Sequence, residues 1–198
     1  MSASMKTSDK INEIILITEC ENGAAHIAPF GVRERNGLIL IAPFRPSLSL
    51  DNLMSGRSAT INMTDDVRVF AGVLTGRRNW PVQTIGSALI LASALSYQSL
   101  ELVKVEDDQV RPNLYFRVIK EEMLKAFQGY NRAQAAVIEL CVLVSRLNML
   151  PLEKITQEMS YLGIAIEKTG SHREIEAWKW LVEAVENHQA QISGGHIA

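Results

Sequence analysis

One short segment of the chain concentrates side chains that can hold a phosphate. Arg45 is followed by two hydroxyl residues, Ser47 and Ser49, and by the amide Asn52 about one helical turn further on. A phosphate monoester is bound by several convergent donors, and a guanidinium, hydroxyls and backbone N–H groups at a helix start supply them. The segment therefore predicts a phosphate site, against the alternative that Ser47 only caps a helix and Arg45 is solvated.

A second segment, upstream of the first, interrupts a strand in a way that suits a flat ligand ring. Pro29 lies inside the apolar run 24–32 and cannot donate to a β-ladder, which implies an edge, a bulge or a kink that faces a ligand. Acid/base pairs, nucleophile motifs and metal-ligand spacings are not found, and the four histidines are scattered. We therefore expect a ligand site without a metal, and the catalytic residues stay unknown.

The composition is that of an ordinary globular protein. The chain has 198 residues, of which 47% are hydrophobic and 21% charged, with a formal net charge of −2. Because basic and acidic residues are interleaved, a nucleic-acid partner is not expected. The weakly polar run 85–95 is too short to cross a bilayer, and Cys20 and Cys141 lie in apolar segments. We predict a soluble cytoplasmic protein with reduced thiols and no membrane partner.

The elements that must position these residues begin with a series of short strands. Asn22-Gly23 and Asn36-Gly37 are strong hairpin signals between apolar runs. Strands are predicted over 11–20, 24–32, 38–42, 58–63, 99–106 and 114–118, with a short helix over 47–55, a helical or irregular piece over 67–74, and an ambiguous apolar run at 88–94. Many strands without regular βαβ alternation predict a closed or half-closed antiparallel barrel.

After Lys120 the period of the apolar residues becomes helical. Asn131 with Gln134 resembles a capping box, and the helix that follows has the apolar stripe Ala133, Val137, Leu140, Val144 and Leu147. A second helix is predicted from Pro151 to Ile166. Ser171 with Glu174 is the capping box of a third helix, whose predicted core face is Ile175, Trp178, Leu181, Val182 and Val185.

These patterns predict two domains. Residues 1–120 form a β-barrel domain, and residues 121–198 form an extension of three helices that packs on the barrel, on a dimer partner, or on both. Among the tryptophans, Trp80 lies in a predicted loop and is the better candidate to stack on a ligand ring, whereas Trp178 is expected in the core.

The run from Ile27 to Asp66 resembles a domain-of-unknown-function family of archaea and methylotrophic bacteria. That family is similar to the FMN-binding split-barrel proteins, which include relatives of flavin reductases and pyridoxamine-phosphate oxidases. The matching pieces are Ala28-Pro29-Phe30-Gly31-Val32, Ser47-x-Ser49-x-x-Asn52-Leu53, Asn62-x-Thr64-Asp65-Asp66 and Tyr130-Asn131-Arg132-Ala133. The resemblance touches most of the chain, although no single piece is as specific as a P-loop.

The resemblance implies a six-stranded antiparallel split β-barrel that forms a homodimer with one FMN per subunit. It implies that the isoalloxazine edge meets the backbone of Pro29, Phe30 and Gly31. The ribityl phosphate would be held by Arg45, Ser47, Ser49 and Asn52, and the pocket would be lined or buttressed by Asn62 and Thr64. Arg132 would add positive charge to the pocket, unless it belongs with Glu139 and Arg146 to a self-neutralising stripe that faces solvent.

Two functions remain open at this stage. In the first, the protein is a flavin-dependent oxidoreductase of unknown substrate, in which the flavin performs the redox chemistry and the chain needs no acid/base pair. The family distribution suggests a substrate connected with tetrahydromethanopterin and C1 metabolism. In the second, the protein is a dimeric scaffold that binds FMN without catalysis. A nucleic-acid module built on a small barrel is disfavoured by the near-neutral charge.

Overall fold

The computed structural model describes residues 10–194, which divide into two compact units. The first, the barrel unit, consists of residues 10–63 and 81–125. The second, the helical unit, consists of residues 64–80 and 126–194. The predicted domain boundary at residue 120 did not anticipate that residues 64–80 belong with the C-terminal helices.

The barrel unit contains eight strands and one helix. Their bounds are β1 Ile11–Glu19, β2 Ala25–Arg35, β3 Leu38–Ile41, α1 Leu48–Met54, β4 Ala59–Met63, β5 Val82–Ile85, β6 Ala88–Leu91, β7 Ser96–Glu106 and β8 Asn113–Met123. Six of the strands close into an antiparallel barrel in the order β1-β2-β3-β8-β7-β4, and β4 pairs with β1 to complete it. This confirms the antiparallel barrel that the strand pattern predicted and the six strands that the family resemblance implied.

Both predicted Asn-Gly turns are present, and their backbone explains the residue choice. Gly23 has a φ of 78°, and Asn36 and Gly37 have φ values of 54° and 74°. At the two-residue turn Asn36-Gly37, positive φ matches the right-handed twist of the strands it joins, and glycine and asparagine adopt it most easily. The β1–β2 connection is longer, because Glu19 pairs with Ala25, and there the N–H of Gly23 donates to the carbonyl oxygen of Cys20. Asn36-Gly37 connects β2 to β3, and the turn at Gly23 connects β1 to β2.

The barrel interior is filled by alternate residues of the strands. Ile14 and Leu16 of β1 pack with Val32 of β2, and with Leu114 and Phe116 of β8. Because side chains alternate across a strand, the neighbours Ile15 and Ile17 point to the outer face, yet both are fully buried. The strands of the barrel therefore need cover on more than one side.

Part of that cover is the hairpin of β5 and β6, which the sequence left ambiguous. The hairpin contacts both β1 and β4. The hydroxyl of Thr60 donates to the carbonyl oxygen of Leu89 at 2.6 Å, and the backbone N–H of Leu91 donates to Oδ1 of Asn62 at 2.9 Å. The hairpin is thus fixed on β4 by side chains as well as by apolar packing.

The helical unit contains α2 Arg68–Leu74, α3 Arg132–Val144, α4 Leu152–Thr169 and α5 His172–Gly194. Its core includes the predicted stripe of α3 from Ala133 to Val144, while Leu147 packs against the edge of that core. No helix within residues 10–194 is long and apolar enough to cross a membrane.

The core face of α5 differs from the predicted one at its start. Leu181 and Val185 are buried as predicted, but Ile175 is 38% exposed and Ala177 is fully buried. Glu174 points inward, because its carboxylate accepts hydrogen bonds from the backbone N–H and the hydroxyl of Ser171. One half of the predicted capping box is present, the hydrogen bond from the Ser171 N–H to the Glu174 carboxylate, whereas the Ser171 hydroxyl donates to that same carboxylate. Ala177, rather than Ile175, lies in the core at this end of the helix.

Candidate functional site

The segment Pro29–Gly31 lies in the part of β2 that has a partner strand on one side only. It pairs with Glu13, Ile14 and Ile15 of β1. Within the described residues, the pairing of β2 with β3 is confined to Arg33–Arg35. The backbone at Pro29 therefore lies on an unpaired edge, which is one of the three positions that a strand proline predicted.

The side chains of this segment are divided between the two faces of the strand. The ring of Phe30 packs against the barrel interior, whereas Pro29 and Gly31 are on the outer face. A Cβ atom at Gly31 would lie 2.9 Å from Cγ2 of Ile11 and 3.3 Å from Oε1 of Glu13. A side chain at this position would therefore displace Ile11, and a ligand at this edge would meet the backbone rather than the Phe30 ring.

The phosphate segment begins with an exposed arginine and a capping serine. Arg45 forms an ion pair with Asp107 at 2.8 Å, in which the two side chains are 44% and 81% exposed. Ser47 is the N-cap of α1, and its hydroxyl accepts from the backbone N–H of Leu50 at 3.3 Å. The structure therefore keeps both interpretations of Ser47 open, because a serine Oγ that caps a helix still has its own proton to donate.

The loop that carries Asp107 is itself ordered by a carboxylate. Backbone N–H groups of Arg111 and Val110 donate to Asp108, and these hydrogen bonds hold the pKa of Asp108 below its ordinary value. The backbone N–H of Arg45 donates to the carbonyl of Val110 at 2.8 Å. Arg45 is thereby placed beside Asp107 by backbone contacts.

The side chains of Ser49 and Asn52 lie on the buried face of α1, which packs against the end of the barrel. Ser49 is 4% exposed, and its hydroxyl lies 3.1 Å from Nε2 of His26. Asn52 is 3% exposed, and it donates to Oγ1 of Thr18 at 3.0 Å. Ser49 and Asn52 are three positions apart and so lie on one face of α1, whereas Leu48 and Asp51 are exposed. The structure thus brings Ser49 to His26 and Asn52 to Thr18, contacts that no local sequence pattern signals.

Asn62 has a structural role that accounts for every polar atom of its side chain. It is fully buried; its Nδ2 lies 3.0 Å from Oγ1 of Thr60 and 3.4 Å from the carbonyl oxygen of Ile15, and its Oδ1 accepts from Leu91. It joins β4, β1 and β6. Of the two predicted roles, lining or buttressing, this position fits the second.

The last two predicted residues, Thr64 and Arg132, belong to the helical unit. Oγ1 of Thr64 accepts from the backbone N–H of Asp66 at 3.1 Å, ahead of α2. Arg132 is exposed at the first position of α3, after Asn131, whose side chain accepts from the N–H groups of Ala133 and Gln134. Asn131 is confirmed as the cap, although the Gln134 side chain donates to Glu174 instead of completing the box.

Trp80, the predicted ring-stacking candidate, packs inside the helical unit. Its indole N–H donates to the carbonyl of Arg77 at 2.8 Å, and its ring contacts Trp180 at a centroid distance of 6.4 Å. A Cβ at Gly72 would collide with the Trp80 ring. Trp80 is therefore a packing residue of the loop that follows α2.

The barrel unit also has a cleft of about 590 Å³ that the sequence did not predict. Its walls combine apolar residues with a guanidinium and hydroxyls, among them Arg57, Ser58, Ser87, Ser99, Leu100 and Phe116. Shifts in the β7–β8 register lie between Ser99 and Leu100 and between Leu102 and Lys104. Bulges of this kind often occur beside functional sites. The lining residues are distant in sequence, so only the Gly56-Arg57-Ser58 sequence after α1 could have signalled it.

Taken together, these positions can bind an anion and offer unpaired strand backbone to a ligand. Arg45 and Ser47 offer charge and a hydroxyl at the surface, and Pro29–Gly31 offers backbone. Ser49, Asn52 and Asn62 support these elements from beneath. Within residues 10–194, no group of three or more His, Cys, Asp or Glu side chains could hold a metal ion.

The fold is that of proteins that bind flavins. It is shared with an FMN-bound protein from Methanosarcina mazei at a TM-score of 0.75, with 19% identity over 89% of this chain and 96% of that one. An FMN-binding protein from Thermus thermophilus, solved with p-hydroxybenzaldehyde, gives 0.51 with 11% identity over 66% and 81%. The flavin reductase HpaC, solved with NADP+, gives 0.50 with 16% identity over 60% and 83%.

The family is shown by the sequence models that match the chain. Residues 12–125 match the N-terminal domain of a family described as protein of unknown function, DUF447, and residues 131–183 match its second part. The chain therefore belongs to the DUF447 family, to which the Methanosarcina mazei protein is also assigned. A comparison with curated proteins gives no match.

Proposed function

We propose that the protein binds FMN in its barrel unit. The observation that carries this proposal is the fold, which 89% of the chain shares with an FMN-bound member of the same family. Two features of the barrel unit support the proposal. Arg45 and Ser47 at the start of α1 carry donors that suit a phosphate, and the backbone edge at Pro29–Gly31 has no partner strand on one side.

Arg45 suits a phosphate even though its guanidinium is already paired with Asp107. Arg45 is engaged by Asp107, but both side chains are largely exposed, and an exposed ion pair contributes at most about 1 kcal/mol. A phosphate carries more charge and more acceptor oxygens than one carboxylate, so it can replace Asp107 at the guanidinium. Ser49 and Asn52 would then act from beneath, by fixing α1 on Thr18 and His26.

We further propose that the protein is a flavin-dependent oxidoreductase. Bound FMN supplies hydride and electron transfer, so the chain itself has only to bind, orient and enclose the reactants. The cleft beside β7, with its apolar floor and its Arg57 and hydroxyl groups, is the candidate entry for a small substrate. The link to tetrahydromethanopterin and C1 metabolism stays a prediction of the family resemblance, as do the cytoplasmic location and the homodimer.

The first experiment is a titration of the flavin-free protein with FMN and with riboflavin, which lacks the phosphate. We expect FMN to bind and riboflavin to bind at least about tenfold more weakly, because a charge-assisted contact contributes roughly 1.5–3 kcal/mol. Arg45→Ala should remove most of that difference, while Arg78→Ala, an exposed arginine of the helical unit, should not. Equal affinity for the two flavins would reject the phosphate site, and no binding of either would reject the function.

The second experiment separates an enzyme from a scaffold. The FMN-loaded protein is mixed anaerobically with NADH or NADPH, and the visible flavin absorbance is followed. Bleaching by either nucleotide, followed by reoxidation with an acceptor, is expected of an oxidoreductase. A protein that retains FMN tightly but is reduced by neither nucleotide would be the dimeric FMN scaffold.

A further inference from the structure

The cleft beside β7 lies where one side of the barrel wall ends. Among residues 10–194, β4 pairs with β7 only over Ser96–Ser99, whereas β7 continues to Glu106. From Leu100 onward, the backbone of β7 therefore has a strand partner on its β8 side and none on its β4 side. Residues 99–102 line the cleft at this gap, and its volume of about 590 Å³ suits a small molecule.

The floor of the cleft is apolar. Leu53, Leu100 and Phe116 line it, and all three belong to the barrel core with at most 8% exposure. Ile119 also lines the cleft and is 62% exposed. An apolar ligand group placed here would lie on core side chains and cover Ile119, so apolar surface of both the ligand and the protein would be removed from water.

Two side chains of opposite charge line the cleft without a partner. Arg57 and Glu19 are both half-buried. Among residues 10–194, neither side chain forms a hydrogen bond or an ion pair. They are neighbours in the fold, because the backbone N–H of Glu19 donates to the carbonyl oxygen of Ser58 at 2.9 Å. A half-buried charge without a partner favours a ligand that supplies one.

The remaining charge of the cleft is already offset. Glu101 is 54% exposed and lies 3.6 Å from Nε of Arg117. The free charges are therefore one positive and one negative. A purely anionic ligand would be attracted by Arg57 and repelled by Glu19, and a purely cationic ligand would meet the reverse. A ligand that carries both charges is attracted by both side chains.

We propose that this cleft binds an apolar α-amino acid. Arg57 binds the carboxylate, since a guanidinium can donate two parallel hydrogen bonds to it, and Glu19 accepts from the ammonium group. The apolar side chain of the ligand lies on Leu53, Leu100 and Phe116. The binding site does not depend on flavin, and only its identification as the substrate site of the oxidoreductase rests on the proposed function.

The test is a calorimetric titration of the full, flavin-free chain with L-phenylalanine and with L-leucine. Two analogues of phenylalanine each keep a single charge: hydrocinnamate lacks the ammonium group, and phenethylamine lacks the carboxylate. We expect both amino acids to bind, and each analogue to bind at least about tenfold more weakly than L-phenylalanine, because it leaves one charged side chain without a partner. Glycine keeps both charges but has no apolar side chain, so it should also bind more weakly.

Charge-removing variants assign each end of the ligand. Arg57→Gln should weaken the binding of L-phenylalanine and hydrocinnamate without weakening that of phenethylamine. Glu19→Gln should weaken the binding of L-phenylalanine and phenethylamine without weakening that of hydrocinnamate. A general loss of the fold would weaken all three. Arg78→Gln and Glu121→Gln, at exposed positions outside the cleft, are the matched controls and should bind like the parent protein.

Several results would overturn the proposal. These are binding of neither amino acid at millimolar concentration, an analogue that binds as tightly as L-phenylalanine, or variants that affect all three ligands alike. Titration with FMN separates this site from the proposed function. A protein that binds the amino acids but not FMN keeps the site and loses the function, whereas one that binds FMN but neither amino acid loses the site alone.

Discussion

The barrel unit and the helical unit bury polar side chains of different kinds. Among residues 10–194, the buried polar residues of the barrel unit are neutral: Thr18, Ser49, Asn52, Thr60 and Asn62. Those of the helical unit, Asp66 and Glu174, are acidic. Buried polar contacts are therefore made by neutral side chains in the barrel unit and by carboxylates in the helical unit.

The position of each group explains the difference. In the barrel, strand backbones are paired in ladders, and short neutral side chains are enough to join β4, β6 and α1. In the helical unit, the buried acids stand at helix starts, where backbone N–H groups lack partners and the helix dipole favours negative charge. Asp66 accepts from the N–H of Arg68 at the start of α2, and Glu174 lies in the first turn of α5.

The charged contacts of Asp66 extend further into the helical unit. Arg68 donates to Asp66 at 2.7 Å and 2.8 Å and to Glu176 at 3.2 Å. The hydrogen bonds that Arg68 donates to the Asp66 carboxylate are the main cause that raises the pKa of Arg68 above its ordinary value. This cluster joins α2 to α5 and adds charged contacts to the apolar packing of Val67 and Ala71 in the core of the helical unit.

The largest expected effect tests whether the two units unfold separately. Leu140→Ala in the helical core and Leu16→Ala in the barrel core should each reduce the free energy of unfolding by about 2–5 kcal/mol. All three tryptophans, Trp80, Trp178 and Trp180, belong to the helical unit, so their fluorescence in urea follows that unit alone. We expect only Leu140→Ala to shift the fluorescence midpoint. An equal shift by Leu16→Ala would mean that the units unfold together.

The next effect concerns a buried neutral side chain, Asn62, between the barrel wall and the β5–β6 hairpin. Asn62→Ala leaves the buried N–H of Leu91 without its acceptor and should cost about 1–3 kcal/mol of stability. Because no titratable group is involved, circular dichroism in urea should give the same loss at pH 5 and pH 8. Gln98→Ala, at a half-buried position of the neighbouring strand β7, is the control. A loss that depends on pH would contradict this account.

A smaller effect distinguishes the helical unit by its pH dependence. Burial raises the pKa of Glu174, but hydrogen bonds from the hydroxyl and backbone of Ser171 and from Gln134 outweigh it and leave the pKa below its ordinary value. The folded form thus holds the charged carboxylate more strongly than the unfolded form does. Its contribution is complete above the unfolded pKa, about 4.5, and is lost as the pH falls through the lower folded pKa.

The variant Glu174→Gln should therefore lower stability at pH 7 and reduce the loss of stability below pH 4.5. Tryptophan fluorescence in urea at several pH values measures both. Glu186→Gln, an exposed glutamate of the same helix, should behave like the parent protein. If both variants keep the parent's acid sensitivity, then another group titrates.

The smallest expected effect is on ligand affinity rather than stability. Asp107→Asn removes the carboxylate that competes for Arg45, so FMN affinity should rise by about 1.5- to 5-fold, the range that an exposed ion pair allows. Riboflavin affinity should not change. Weaker FMN binding would indicate that Asp107 orders Arg45 for the ligand instead of competing with it.

The sequence predicted the elements well where local chemistry decides them. The Asn-Gly turns, the Ser47 and Asn131 caps and the hydrogen bond from the Ser171 N–H to Glu174 each depend on contacts within a few residues, and all are present. The apolar periods predicted the barrel strands and the α3 stripe for the same reason. The predicted core face of α5 was wrong at Ile175. The buried residue at this point is Glu174, and a pattern of apolar residues does not predict a buried glutamate.

The tertiary structure decided what depends on contacts between distant residues. These include the β4–β7 pairing, the β5–β6 hairpin against β4, the cleft beside β7, and the membership of residues 64–80 in the helical unit. For the candidate site, the sequence brought Arg45, Ser47, Ser49 and Asn52 into one segment. Only the packing of α1 on the barrel end decided that the first two face outward while Ser49 and Asn52 are buried, because the face that a short helix buries is set by its neighbours.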